Sequence, residues 1–412
     1  MKVHGKNVVF YAIFSFAALF FIFYKTDTIV YVSPFVPSTT GSSLAAAEPR
    51  ISISRSETNK REATNGPTPR FKFQSTMDKS VAAETVTAQE ETKTVEKNCE
   101  CVSNKTKKSY DFCYRNPKNS SLIGKRFDCT HLDALEELKL LDFSDQSLVD
   151  LSNPNRDASD VMFVSAISMN HFGNFKEMYA LIKKHWPQQK LVLYSLDLPD
   201  IRIKELEADP NIQVKKFNYS KYPKYVENWA EYRFKALILA EAVRDYKNVW
   251  WTDSHNRWLQ PKPLGQFYGE MAKCQGDVDC DKKSSVMMFV NATHSNFAVL
   301  TEGLLDYFPT FGLDTLKYND KGLQLSAAFV YLARTPFTLE ILKWHALCAL
   351  EEKCMNPPNA KLKCDIIPRW EKYAGCFRYD QSSLNLLMFN SFRDHNHYFM
   401  NVGRVDRTYA HY

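Results

Sequence analysis

Glycine is scarce in this chain, 13 of 412 residues. No G-x-G-x-x-G follows its first strand-like run, which argues against a dehydrogenase-type dinucleotide site. Basic runs interleaved with aromatics are missing too. Lysines are scattered among acids and the net charge is only +6, the pattern of a solvated surface rather than a nucleic-acid face. The cysteines lack paired Cys-x2-Cys spacing: Cys99-x-Cys101 and Cys274-x5-Cys280 do not make a structural zinc site. Between Ser33 and Lys97 aromatics nearly vanish, with only Phe71 and Phe73 after Phe35. That stretch, rich in Ser, Thr, Glu, Ala and Lys, cannot bury enough apolar area to fold alone and reads as a flexible stem. There is no internal repeat.

What is present begins with Val8–Tyr24, an apolar run without a charge. Lys2 and Lys6 precede it and Lys25 follows, and no small-residue cleavage site lies close behind. The expectation is an uncleaved signal anchor over 8–24, with a cytosolic tail over 1–7 and a lumenal stem over 25–98. A cleaved signal peptide is the alternative. All ten cysteines lie beyond the anchor, an even number that suits disulfides in an oxidising lumen, with connectivity unreadable from sequence. Acceptor sequons at Asn104, Asn119, Asn218 and Asn291 agree. Together these imply a single-pass type II protein of the Golgi or another secretory-pathway membrane.

Two further segments follow, a cysteine-bearing lead-in over 99–158 and a main domain over 159–412. Within the latter, apolar runs at 161–168, 190–197, 212–219 and 248–253 alternate with helical patterns at 175–186, 201–209 and 229–246. Strand–helix–strand repetition with short connections predicts a parallel sheet covered by helices. Ligands of such sheets bind beyond the carboxyl ends of the strands, where the strand order switches; Asp197 and Asp253 fall at such ends. Further strands are expected at 284–291 and 325–333, and helices at 336–350 and 380–392.

"VWWTDSHNRW" (249–258) ends an apolar strand on Asp253-Ser254-His255. A carboxylate and an imidazole there can ligate Mn²⁺ while a diphosphate supplies further oxygens; a turn or helix cap is the bland alternative. Asp380 and Gln381 open a helix with Asn385, more polar groups than an N-cap requires, and a carboxylate there could orient an acceptor hydroxyl. Asn170 and His171 follow the first strand, where a nucleoside would dock or a helix would simply begin. Trp250, Trp251 and Trp258 read as packing residues, with Trp258 also a sugar-stacking candidate. His345 reads as a packed histidine.

The order "YRFKALILAEAVRDYKNVWWTDS" followed by "YDQSSLNLLMFN" resembles glycosyltransferase-A (GT-A) enzymes, in which a Lys-bearing helix leads to a strand ending in Asp-x-Asp. The combination of "SAISMNHF", "FKALIL", "WWTDSHNRW", "WHALCAL", "KCD" and "RYDQSSLN" is similar to a family of uncharacterised type II membrane proteins abundant in nematodes, over about 161–392. The resemblance implies an α/β, GT-A-like Rossmann-type sheet with flanking helices, preceded by the signal anchor and disordered stem. It implies Asp253 as the first metal ligand, His255 in place of the second Asp, and His395 or His397 as a third, with His397 the choice. Lys235 and Asn170 would bind the donor, and Asp380 and Gln381 would act on the acceptor side.

The function so implied is a lumenal glycosyltransferase, moving a sugar from a nucleotide-sugar donor to a glycan, protein or lipid acceptor with a divalent metal, Mn²⁺ first. The rival is a non-catalytic glycan- or partner-binding protein on a degenerate transferase fold, to which the Asp-Ser-His departure points. A hydrolase with Asp253 and Asp380 as paired carboxylates would need them about 5–10 Å apart.

Overall fold

The computed structural model describes residues 99–143, 147–151, 160–259, 285–317, 320–366, 369–401 and 405–407, together with short stretches within 2–19. The chain divides into two compact units, Met1–Ser80 and Val81–Tyr412. In the first, Lys2–Gly5 pairs antiparallel with Val8–Tyr11, and Phe14–Ser15 with Ala18–Leu19. The rest of the expected anchor, and the whole stem over 25–98, lie outside the described residues. Among the described residues no helix is long and apolar enough to cross a membrane.

The second unit is mixed α/β, built on a mostly parallel sheet flanked by helices. Among its strands, in chain order, are β1 (Val161–Ile167), β2 (Leu191–Ser195), β3 (Ile212–Lys216), β4 (Asn248–Thr252), β5 (Val286–Met288), β6 (Leu323–Leu325), which pairs with Asn291–Ser295, and β7 (Phe329–Ala333). All but β6 form one six-stranded sheet in the order β3-β2-β1-β4-β7-β5. The first four of that order are parallel; β7 and β5 each lie antiparallel to the preceding neighbour. Helices α1 (Phe172–His185), α2 (Asp200–Glu207) and α3 (Arg233–Asp245) make the crossovers, and α4 (Pro336–Leu350) and α5 (Asp380–Phe392) follow later. The chain steps outward from β1 to β3, then returns through α3 to place β4 on the other side of β1. That reversal puts the crevice of a doubly wound sheet between the carboxyl ends of β1 and β4.

Alternation sorts the strand side chains onto two covered faces. Phe163, Leu191, Leu193 and Trp250 pack with Phe175 and Met178 of α1 and Ile203 of α2. Val164, Val192, Val249 and Trp251 pack on the opposite side with α3, α4 and α5. Burial on both faces explains why these strands read as continuous apolar runs. Trp258 belongs to the first face, fully buried against Phe163, Trp186, Trp250 and Phe329; it packs and offers no stacking platform.

The lead-in is closed by disulfides Cys99–Cys113 and Cys101–Cys129, and Cys348–Cys354 and Cys364–Cys376 staple the later half. Cys274 and Cys280 lie outside the described residues. Phe112, Phe127, Leu132 and Leu135 of the lead-in are buried in the same core as α3 and α4, so this segment completes the domain rather than standing apart. The asparagines of all four sequons are exposed.

Candidate active site

Asp253 follows β4 in the same alternation as Val249 and Trp251, so its side chain leaves the sheet on the α3 face. Its N–H donates to the Ala328 carbonyl at 2.8 Å, and its own carbonyl accepts from Asn256 N–H at 3.0 Å, which closes the turn after β4. The carboxylate is therefore free of backbone duty and turns to two side chains instead. Trp251 Nε1–H donates to Oδ1 at 2.7 Å, and Lys235 Nζ lies 3.0 Å from Oδ1 and 3.3 Å from Oδ2.

Lys235 is on the first turn of α3, where every residue from Arg233 to Ala240 is buried. Arg233 fixes that turn: its guanidinium donates to the carbonyls of Ala349, Glu351 and Glu352 at 2.8, 3.1 and 2.8 Å, at the end of α4. The ammonium also reaches Asp380 Oδ2, the first residue of α5, at 3.2 Å. This is an ion pair without a directed hydrogen bond, since Oδ2 has none. Two residues precede the two helices in unusual conformations, Tyr232 at φ 54°, ψ 18° and Tyr379 at φ 44°, ψ −116°. Positive φ in a bulky residue costs on the order of 1–3 kcal/mol and persists only where its surroundings enforce it. Here both turns aim the first residues of α3 and α5 at one point.

The side chains of Lys235 and Asp380 are each 5% exposed, that of Asp253 16%, and that of His255 33%. The cluster is thus a buried triad with an open edge formed by Asp253 and His255, whose Nε2 is 4.0 Å from Asp253 Oδ2. Burial works against the Lys235 ammonium, but Asp253 and Asp380 outweigh it and its pKa is raised. Burial likewise pushes the Asp253 carboxyl up, yet Lys235, His255 and the Trp251 indole hold it below the usual range. Asp380 goes the other way: burial, helped by the Asp253 charge, lifts it despite Lys235. The charge is partitioned, with Asp253 and Lys235 as the ion pair and Asp380 as the carboxyl shifted toward its protonated form. Behind them Ser383 Oγ lies 3.0 Å from His345 Nδ1 and donates to the Asp380 carbonyl at 3.0 Å. Burial, with the Lys235 charge, drives the His345 pKa down to about 3, so this histidine is neutral.

The other sequence-derived candidates fall as follows. Gln381 accepts from Ala327 N–H at 3.3 Å and donates to Gln324 at 2.7 Å, beside Asp380 but tied to the segment after β6. Asn385 pairs with both backbone groups of Leu325 at 2.8 and 2.7 Å. Asn170 is exposed in the turn Met169–His171 beyond β1, where Asp197 accepts Met169 N–H at 2.6 Å; both lie on the edge that carries Asp253. His397 stacks on Phe392 with ring centroids 5.5 Å apart. Phe392 ends α5, about 18 Å along the helix from Asp380, so His397 does not join the triad. The pairing of Lys235 with Asp380 had no sequence signal except one: a lone lysine inside "FKALILA" must find a buried partner.

Those positions bear on a divalent ion. Asp253 and His255 are adjacent donors, but among the described residues no third ligand stands with them. The one grouping of three, Cys99, Asp111 and Cys113, contains two cysteines already joined in a disulfide. Moreover, an ion bound about 2.1 Å from Asp253 Oδ2 would lie within about 5.5 Å of the ammonium. At an effective dielectric of about 20 that repulsion is on the order of 6 kcal/mol. The Asp253 carboxylate attracts the same ion, but among the described residues two donors beside an ammonium are a poor fit to a resident divalent ion, which takes a larger donor set.

A family described as protein of unknown function (DUF1647) matches residues 99–240, about a third of the chain. No curated protein sequence matches. Among solved structures the chain is similar to WbbM, a bifunctional glycosyltransferase in its apo form (13% identity, TM-score 0.34, covering 57% of this chain and 38% of that one). It is similar also to the galactosyltransferase LgtC in complex with donor and acceptor sugar analogs (12% identity, TM-score 0.31, 55% and 70%). A third is core-mannan synthase A from Aspergillus fumigatus in its Mn/GDP form (9% identity, TM-score 0.35, 66% and 82%). The chain thus spans well under half the length of WbbM.

Proposed function

We propose that this protein is a glycosyltransferase that takes a sugar from a nucleotide-sugar donor and passes it to a glycan, protein or lipid acceptor. The observation that carries this reading is the Lys235–Asp253–Asp380 triad, drawn from three separate elements to the carboxyl edge of the sheet where the strand order reverses. Doubly wound sheets bind nucleotides at that edge, and perturbed ionisable groups gathered there are the mark of a working site. In this reading the nucleoside lies over the turn after β1, beside Asn170 and Asp197. The diphosphate meets the open edge at His255. Asp253, held ionised by Lys235, orients the sugar or its incoming hydroxyl, and Asp380 sets the charge behind it.

Paired-carboxylate hydrolysis fits less well. Asp253 Oδ1 and Asp380 Oδ2 are no more than about 6 Å apart, both being within 3.2 Å of Lys235 Nζ, yet the ammonium between them leaves no room for a sugar. Residence in the secretory pathway belongs to the same proposal; the disulfides and the exposed sequon asparagines support it. Transfer and hydrolysis assayed across a panel of nucleotide sugars, with native protein and Asp253→Asn, test the reading. It requires one donor to be turned over by native protein and at least about a hundredfold less by the variant. Thermal shift by glycans without any nucleotide response would favour the non-catalytic binding reading.

A further inference from the structure

We infer that the Lys235 ammonium is the resident cation of this site, built in where a divalent ion would otherwise sit, and that the protein binds a nucleoside diphosphate without metal. The inference deepens the reading above, since it concerns the same site, but its main test needs no donor and no turnover. Four observations carry it. Lys235 is anchored in the stretch of α3 from Arg233 to Ala240 in which every residue is buried, so the core fixes the backbone that carries it. It contacts both oxygens of Asp253, the residue a metal would have to use, as well as Asp380. Arg233 pins the first turn of α3 to the end of α4, so the backbone that carries the lysine is held in place. Finally, His255 is the imidazole at the Asp253 edge, while His345 lies behind Asp380 against Ser383 and His397 at the other end of α5.

The charge arithmetic agrees. Two carboxylates gathered at one point would attract a divalent ion; here one ammonium already lies between them, 3.0 Å from an oxygen of Asp253 and 3.2 Å from one of Asp380. Removing the ammonium while keeping both carboxylates should therefore create a divalent site that native protein lacks, with Asp253 and Asp380 as its protein donors.

The experiment is Mn²⁺ titration of the full-length protein, native and Lys235→Met, with metal alone, followed by calorimetry and thermal melting. Native protein should show no saturable Mn²⁺ binding at this site. Lys235→Met should bind saturably, at least about tenfold more tightly than any residual Mn²⁺ association of native protein, and saturating Mn²⁺ should raise its melting temperature by about 5 °C or more. The double variant Lys235→Met/Asp253→Asn should lose that gain. Saturable Mn²⁺ binding by native protein that Asp253→Asn removes would overturn the inference. Should Lys235→Met fail to fold without metal, refolding in Mn²⁺ but not in chelator is the expected result, and no rescue by metal counts against it. A second measurement uses native protein only: the thermal shift from uridine and guanosine diphosphates should be the same in Mn²⁺ and in chelator. A shift that appears only with Mn²⁺ contradicts metal independence. Absence of any shift in either condition contradicts nucleoside diphosphate binding, and the transferase reading with it; the metal titration then decides separately whether Lys235 holds the place of a cation.

Discussion

Lys235 and Asp380, far apart in the chain, come within 3.2 Å of one another, and the same ammonium holds Asp253 at 3.0 Å. Three elements, α3, β4 and α5, are thereby locked through one nitrogen. The stability of the domain and the charge of its candidate site are consequently the same problem.

Removing that nitrogen strands two buried carboxylates. Lys235→Met is expected to cost about 3–5 kcal/mol at neutral pH, the usual penalty for breaking a buried ion pair from one side. The loss should shrink on acidification, because carboxyls without their cation have raised pKa values and protonate. Denaturant melts of native and variant at about pH 7 and pH 5 measure both effects.

The two aspartates should respond in opposite ways. Asp253 has a lowered pKa, so its contribution is present above the unfolded value of about 3.9 and lost as pH falls through the folded one. Asp380 has a raised pKa, so its ionised form opposes folding, and stability from its proton is lost as pH rises through the folded value. Asp380→Asn should therefore be within about 1 kcal/mol of native at pH 7, or more stable, while Asp253→Asn costs about 3 kcal/mol. Chemical denaturation of the two variants side by side checks the contrast.

How much of this could be read in advance differs by element. The apolar runs at 161–168, 190–197, 212–219 and 248–253 all contain the observed strands, since burial on both faces leaves an unmistakable pattern. The helices at 336–350 and 380–392 match in their limits, the former with Thr335 as N-cap and Pro336 behind it. Elsewhere the pattern misled. The run 325–333 reads as one strand but is divided by Ser326–Ala328 into β6 and β7, which serve different sheets. The helix expected from 229 begins at Arg233, after a short 3-10 turn and a left-handed Tyr232, a backbone choice that no local propensity announces.

Of the candidate site, Asp253, His255 and Asp380 were each legible as residues at a strand end or helix start, and Lys235 through the resemblance to transferases with a Lys-bearing helix. Their partnership was not, because it depends on strand order and on how α5 returns to α3. His397 was drawn in by its place near the chain's end, and the length of α5 carries it away. Gln381 and Asn385 looked like acceptor-side groups; in the fold they pair with the β6 segment.

That pairing makes its own prediction. Asn385 substitutes for a neighbouring strand at Leu325, accepting its N–H and donating to its carbonyl, fully buried. Asn385→Ala leaves both backbone groups unpaired and should cost about 2–4 kcal/mol, with faster hydrogen exchange at Leu325 as the local signature.

Two buried histidines should make the domain acid-sensitive. Burial drives His345 down to about 3 and His294 down to about 4, so both are neutral when folded. Their stabilisation is complete above the unfolded value of about 6.5 and declines as pH falls toward the folded values, by up to about 1.4 kcal/mol per pH unit for each. His345→Gln should flatten the slope between about pH 6.5 and pH 4.5 relative to native, whatever it does to stability at pH 7.

The central claim is that Asp253, charged by Lys235, stands in a nucleotide-sugar site. Calorimetric titration of full-length native protein and Asp253→Asn with a panel of nucleotide sugars tests it most directly. At least one donor should bind native protein saturably, and the variant should bind that donor at least about tenfold more weakly. No donor bound by native protein, or equal binding by both proteins, would contradict the account.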